Sequence, residues 1–431
     1  MAHAYVLGVG MIPFTKPGES PSYADMGATA ARLALADAGI AYDAVRQAYV
    51  GYVYGDSTAG QAAIYQLGLT GIPIFNVNNN CSTGSTALFL ARQAVESGAV
   101  ECALAVGFEQ MVPGALGAVF HDRPSPLAEF LKIADQKFEG ADQVPMAIKL
   151  FGGAGYEYQE RYGASNETFA RVRAKASRHA EHNDKAIFRK VMTPEQVLAS
   201  PKMFLNLTRL QCCPPTCGAA AAVVASEEFA RRHGMARAVR IRGQSLTTDR
   251  PSSFTEGSMM KAVGVDMAKE AADLVYHQTG IGPGDVDVVE LHDCFATNEV
   301  LTYEAIGLCG EGEAEKFVAD GDNTYGGRVV TNPSGGLLSK GTLWARPGWP
   351  SALSWSPSSA ARPGFGRLRM PGSRCSTILA WVAPAWSRCM SAADLGWRNG
   401  APRGSAAPRA ETGRSDASRE PVYGPPDQEA S

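Results

Sequence analysis

A chain of 431 residues with a formal net charge of −3 and an ordinary apolar share is long enough for two or three domains around a large core. The near-balanced charge excludes a broad basic field of the kind that draws nucleic acid or an anionic membrane. No window of about 20 apolar residues reads as a membrane span. The nine cysteines are odd in number and contain no CxxC pair, so they read as reduced thiols of a cytoplasmic protein. Cys212, Cys213 and Cys217 cluster without a histidine nearby in sequence, which argues against zinc.

Residues 1–110 alternate strand and helix patterns, which predicts an α/β layered domain. The first ten residues run straight into a strand over 5–11, with no signal-peptide pattern. Small and apolar residues at helical spacing predict a helix over 23–38, stopped by Gly39. A strand is expected over 48–54. Gly8-Val9-Gly10 follows the start of the first strand, but Pro13 stands where a dinucleotide-binding fingerprint needs its third glycine. A structural turn is the better account.

An expected strand over 72–77 runs into Asn78-Asn79-Asn80-Cys81-Ser82-Thr83-Gly84-Ser85-Thr86, and an expected helix over 85–97 leaves it. That places the Cys81 thiol at a strand-to-helix elbow, beside free backbone N–H groups and the positive end of a helix dipole. Such a position favours the thiolate, the reactive form of cysteine. A buried, inert cysteine satisfies the same local pattern, and the remaining chain must separate the two.

A strand over 101–108 follows. Residues 111–210 are richer in charge and helical, and read as an inserted lobe. Its Arg171, Arg173, Lys175 and Arg178 can meet an anionic ligand, although a solvated helix face accounts for them more simply. The α/β pattern resumes with a strand of small residues over 218–226. A second αβ unit follows, with strands over 238–244 and 286–291 and helices over 266–279 and 298–306, so the chain reads as two similar halves.

His292-Asp293-Cys294-Phe295 follows the strand over 286–291 directly. Ligands gather at the carboxyl ends of strands in such sheets. An imidazole, a carboxylate and a second thiol there can relay protons or hold an oxyanion. Asp293 capping helix amides is the plainer alternative. Asn332-Pro333-Ser334-Gly335-Gly336 reads as a loop that allows close approach of a ligand.

Taken together, the Cys81 motif, Gln211-Cys212-Cys213-Pro214, His292-Asp293-Cys294-Phe295, the glycine-bounded segment Gly321 to Gly327 and the Asn332 to Gly336 loop resemble a thiolase of the sterol-carrier-protein-X type over about residues 1–341. The resemblance implies an α/β thiolase-like fold: two αβ halves stacked in five layers, with an inserted loop domain over the site. The domain boundaries that follow are 1–110 with 211–235 for the first half, 111–210 for the inserted domain and 236–341 for an incomplete second half. It implies cleavage of a 3-oxoacyl-CoA by coenzyme A, or the reverse condensation, with coenzyme A as co-substrate, no bound cofactor and a homodimeric assembly. By the same analogy Cys81 is the acylated nucleophile, His292 helps form an oxyanion hole and Cys294 is the second acid/base. The N–H groups of Cys81 and Gly84 hold the acyl-thioester oxygen, and Asn332, Gly335 and Gly336 border the substrate. One departure is Thr216-Cys217-Gly218, where the family has Asp before the glycine.

After Gly341 the composition changes. All six tryptophans and eleven arginines, but no lysine or histidine, fall in 342–431. The Pro-, Ser-, Arg- and Gly-rich tail has no steady period and predicts disorder. The resembled family continues Gly-His-Pro-Leu-Gly-Ala-Thr-Gly from Gly341, where this chain has Gly341-Thr342-Leu343-Trp344-Ala345-Arg346-Pro347-Gly348. One C inserted after the Gly341 codon makes the codons of this chain permit the family motif. The same frame across 375–390 permits Leu-Gln-His-Asn-Leu-Gly-Leu-Gly-Gly-Ala. A one-base loss near codon 342 therefore accounts for the tail, and it removes the histidine that the resemblance assigns as the base for Cys81.

Overall fold

The computed structural model describes residues 3–111, 122–141, 143–233 and 235–341. The expected aberrant tail, 342–431, lies outside the described residues, as do 112–121 of the expected inserted domain.

The first stretch builds β1 (Ala4–Met11), α1 (Tyr23–Ala38), β2 (Gln47–Gly51), α2 (Ala59–Ile64), β3 (Ile74–Val77), α3 (Thr83–Glu96) and β4 (Cys102–Glu109). Ser22 caps α1 by accepting from Asp25 N, and Gly39 closes it in the left-handed conformation at φ 68°, the stop expected from sequence. A helical stretch then gives α4 (Ala128–Lys137), α5 (Met146–Tyr162), α6 (Asn166–Ala180) and α7 (Pro194–Leu198), followed by a small hairpin of β5 (Lys202–Phe204) and β6 (Leu207–Thr208). The sheet is completed by β7 (Gly218–Ser226) and, after α8 (Glu227–His233), by β8 (Val239–Arg240).

Six strands form one mixed sheet in the order β3-β2-β4-β7-β1-β8. β2 pairs parallel with β3 and β4, and β7 pairs antiparallel with both β4 and β1. Both faces of its central strands are covered, and those strands are buried along nearly all their length. Leu104, Val106 and Phe108 of β4 belong to the core that holds α1, while Ala103 and Ala105 join Ala87, Leu88 and Ala91 of α3 on the other face. Gly8 and Gly10 lie inside β1, not in a turn as the sequence suggested. A Cβ on Gly8 would stand 2.3 Å from Ala38 N, and one on Gly10 would stand 2.1 Å from Ala30 O. Their role is to let α1 lie directly on the strand.

The remaining elements are α9 (Ser252–Thr255), α10 (Met259–Ala262), α11 (Val265–Thr279), β9 (Val288–Val289), α12 (Ala296–Ala305), α13 (Ala314–Ala319), β10 (Val330–Thr331) and α14 (Gly336–Lys340). Two expectations change. The strand foreseen over 238–244 pairs only at Val239–Arg240, and it does so with β1 as the sixth strand of the first sheet. The strand foreseen over 286–291 shortens to β9, parallel to β10. A strand extends only as far as a neighbour supplies ladder partners. Among the described residues the second half offers just this pair.

The helical stretch does not keep a separate core. Phe151, Tyr158 and Phe169 belong to the same buried cluster as Val300 and Tyr303 of α12. Phe151 stacks on Phe295 with ring centroids 4.6 Å apart. The solvated face suggested for the α6 cations holds for Arg171, which pairs with Glu167 on the surface. It fails for Arg173 and Lys175, which are 1% and 2% exposed. Lys175 is drawn inside by the Glu299 carboxylate of α12, and its ammonium also donates to Thr331 Oγ1 at 2.6 Å and Tyr303 OH at 3.1 Å. A buried charge needs such company.

Candidate active site

The elbow after β3 is held by its own side chains. Thr83 Oγ1 accepts from Asn79 N at 2.7 Å and donates to Asn80 O at 2.5 Å, while Asn79 Nδ2 donates to Thr86 Oγ1 at 3.1 Å. Asn80 takes the left-handed conformation at φ 48°, one that asparagine tolerates better than most residues. The helix starts at Thr83, two residues earlier than expected, with Ser82 at the N-cap position. Cys81, 5% exposed, therefore sits one residue before the cap, at the positive end of a fourteen-residue helix. Gly84 is buried in the first turn.

Cys294 comes to the same place from the other half. It is 4% exposed. Burial pushes its thiol well up, helped by the neighbouring Cys213 and Cys81 thiols and then by Asp293. Cys212 and Phe295 form an antiparallel bridge, and Cys213 N donates to Cys294 O at 2.9 Å. The fold thus gathers three motifs, from residues 81, 212–213 and 292–295, that are far apart in the chain. His292 is half-buried, and its carbonyl accepts from Asn298 Nδ2 at 2.6 Å.

Asp293 turns its carboxylate to backbone amides. It is fully buried, and its carboxylate accepts from Leu337 N at 2.6 Å and Leu338 N at 3.3 Å, so it caps α14. Burial, the Glu299 charge and to a lesser degree the Glu290 charge push its carboxyl well up, against the two amide hydrogen bonds. The buried Arg173 guanidinium feels this carboxylate and donates to Ser339 Oγ at 3.0 Å. Lys340 and Glu290, 1% and 5% exposed at their side chains, pair at 2.9 Å. Helix α14 is therefore fastened at several points, and it ends at Gly341, next to position 342. A Cβ on Gly341 would lie 2.1 Å from Thr216 Cγ2. Thr216, the neighbour of the departing Cys217, thus packs on the helix end.

The Asn332 to Gly336 loop approaches protein closely. Gly335, at φ 89°, would meet Ala180 Cβ at 2.4 Å if it carried a Cβ. Asn332 is fully buried at φ 48°, with Oδ1 accepting from Leu291 N at 2.6 Å and its carbonyl from His179 Nδ1 at 2.9 Å. The first bond fixes the backbone immediately before His292. Sequence reasoning missed His179, whose Nε2 lies 2.7 Å from Thr324 Oγ1. Burial and the Lys175 charge lower its pKa to about 4, so its ring is neutral and its tautomer is set by these two partners. Its only sequence signal is its place on α6, whose partners appear only once the chain has folded.

Comparison with known proteins bears on the family and the fold. The thiolase N-terminal domain family matches residues 4–203, and the thiolase C-terminal domain-like family matches 252–346. Sterol carrier protein 2 of the rabbit, Oryctolagus cuniculus, is 50% identical over 380 residues, 87% of this chain and 69% of that protein. Among solved structures, an Ltp2-ChsH2(DUF35) aldolase superposes with a TM-score of 0.65 at 23% identity, covering 78% of this chain and 85% of that one. Human mitochondrial 3-ketoacyl-CoA thiolase in complex with CoA gives 0.58 at 19% identity, covering 80% and 89%. At these identities the two structures speak for the fold. The chain belongs to the thiolase family, of the sterol carrier protein 2 type. That membership supports a thiolase-like acyltransferase or a lipid-binding role. Among the described residues no helix is long and apolar enough to cross a membrane.

Proposed function

We propose that the site is built to cleave a 3-oxoacyl-CoA of lipid or sterol side-chain origin with coenzyme A. The convergence of Cys81 and Cys294 carries the reading. Cys81, at the N-terminus of α3, attacks the 3-keto carbonyl; the carbon–carbon bond breaks, and the acyl group stays on its sulfur. The departing acyl-CoA carbanion takes a proton from Cys294, which its buried setting keeps as a thiol at neutral pH. His292 donates to the oxyanion, and the Cys81 and Gly84 amides hold the thioester oxygen. Coenzyme A then takes the acyl group and Cys294 regains its proton.

The base that deprotonates Cys81 is expected at 342, where this chain has threonine. Losing a general base costs about 10²–10⁴ in rate. The chain as written is therefore a weak catalyst, and a frame restored at codon 342 returns the base. The nucleotide sequence there decides the point: an intact Thr342 codon with no lost base removes the frameshift explanation.

Two other readings share the fold: a non-catalytic acyl-CoA or lipid binder, and an aldolase acting on sterol side-chain thioesters. Neither needs an acylated cysteine. Incubation with an acyl-CoA followed by mass mapping separates them: the acyl group on Cys81, absent in Cys81→Ala, supports the thiolase. Full cleavage by Cys81→Ala would sink it.

A homodimer and a cytoplasmic setting belong to the same reading. β3 is an edge strand with Phe75 44% exposed, the kind of open edge that a second copy can pair with. The odd cysteine count without a CxxC pair fits a reducing compartment.

A further inference from the structure

The proposed cleavage uses two of the three clustered thiols and leaves Cys213 without a task. Cys212 and Phe295 face each other across an antiparallel bridge. One step along, Cys213 stands opposite Cys294, and its N–H donates to the Cys294 carbonyl at 2.9 Å. Directly opposed residues of an antiparallel pair project from the same face, with Cα atoms about 5.5 Å apart at a hydrogen-bonded position. A disulfide accepts Cα separations of about 4.4–6.8 Å and needs Cβ atoms within about 4.5 Å, so the two backbones must close by roughly 1 Å to form it. The electrostatic effect of Cys213 on the Cys294 thiol, larger than that of Cys81, agrees with this opposition. Cys212 turns to the other face, where its thiol donates to Thr208 O at 3.5 Å.

Exposure divides the labour. Cys213 is half-buried, whereas Cys294 is buried. A small oxidant reaches Cys213 first.

We infer that Cys213 and Cys294 form a peroxide-driven, reversible disulfide that arrests the site while sparing Cys81. The Cys213 sulfur gives up its proton and attacks one oxygen of hydrogen peroxide; the O–O bond breaks, and the leaving hydroxide takes that proton as water, giving a sulfenic acid. The Cys294 sulfur then attacks the sulfenic sulfur. The S–S bond forms, the S–O bond breaks, and the departing hydroxide takes the Cys294 proton. Two thiols are oxidised and one peroxide is reduced to two waters. Cys294 then has no proton to give, and a dithiol reductant restores it.

The arrest rests on the role proposed for Cys294, but the bond itself does not. The test treats the full chain with hydrogen peroxide and maps tryptic peptides without reduction. The expected result is one cross-linked pair joining the peptides that contain Cys213 and Cys294, with two thiols lost to a thiol reagent, Cys81 still alkylated by iodoacetamide, and full reversal by dithiothreitol. Cys213→Ser should lose the cross-link and keep the Cys294 thiol under the same dose. A link between Cys81 and Cys294, a link that persists in Cys213→Ser, or irreversible oxidation of Cys81 as the first event would each overturn the inference. If the link forms but acyl-CoA never labels Cys81, the thiolase reading fails and the disulfide stands.

Discussion

Gly336 lies so close to Asp293 that a Cβ built on it would stand 1.9 Å from Oδ2. The contact joins the Asn332 to Gly336 loop to the segment that carries His292 and Cys294. It also lets the Asp293 carboxylate reach the first free amides of α14. Gly336→Ala would add this clash to a left-handed φ of 60°. We expect a loss of about 3 kcal/mol or more, from overpacking and backbone strain together. Gly326→Ala, at φ 87° with nothing within 4 Å, should lose only the backbone part, about 1–2 kcal/mol. Urea unfolding midpoints of the two variants check the difference.

The buried Lys175–Glu299 pair links α6 to α12. Lys175→Met leaves the Glu299 carboxylate without its cation and should cost about 3–5 kcal/mol. The double variant Lys175→Met/Glu299→Leu should lose less than the sum of its single changes, because removing both charges leaves none stranded. A double-mutant cycle by chemical denaturation reads the coupling; additive losses would show that the pair is not coupled.

Two buried groups give opposite pH slopes. Burial raises Glu109 from its ordinary 4.5 to about 8, against hydrogen bonds from Tyr54 N and Val53 N. Between these values the folded chain holds a proton that the unfolded chain has lost, so this contribution to stability falls as pH rises. His179 runs the other way, from 6.5 down to about 4: the unfolded chain binds the extra proton, so stability falls as pH drops through that window. The two slopes oppose each other between about 4.5 and 6.5; of these two groups only Glu109 acts between about 6.5 and 8, where the raised Asp293 carboxyl adds a slope of the same sign. Stability measured across pH should decline in the upper window for the native chain and be flatter there for Glu109→Gln. An unchanged slope in that variant would assign the decline elsewhere.

If β3 is the edge along which two copies pair, Phe75→Lys should shift the assembly toward monomer, because edge lysines oppose strand pairing. Light scattering across a concentration series measures the shift. A mass unaffected by the substitution would place any interface elsewhere.

Local pattern carried much of the fold. The helix over 23–38 and the strand over 218–226 emerge at the expected bounds, because helical spacing ending in Gly39 and a run of small and β-branched residues each encode an element within its own length. The Cys81 elbow was legible for the same reason. Residues 238–244 and 286–291 were misjudged because a strand's length is set by the neighbour it pairs with. Gly8 and Gly10 looked like a turn because nothing local reveals the helix that lies on them.

The site divides along the same line. Sequence alone identified a thiol at a helix start, a second thiol after a strand and a glycine loop, since each is defined by covalent neighbours. It also located the change in composition after Gly341. Only tertiary structure brought Cys81, Cys213 and Cys294 together, turned Asp293 to cap α14 and drew Lys175 and Arg173 into the interior. Those outcomes depend on charges and amides that lie more than forty residues apart in the chain. Their energies arise from burial, which no local pattern of residues contains.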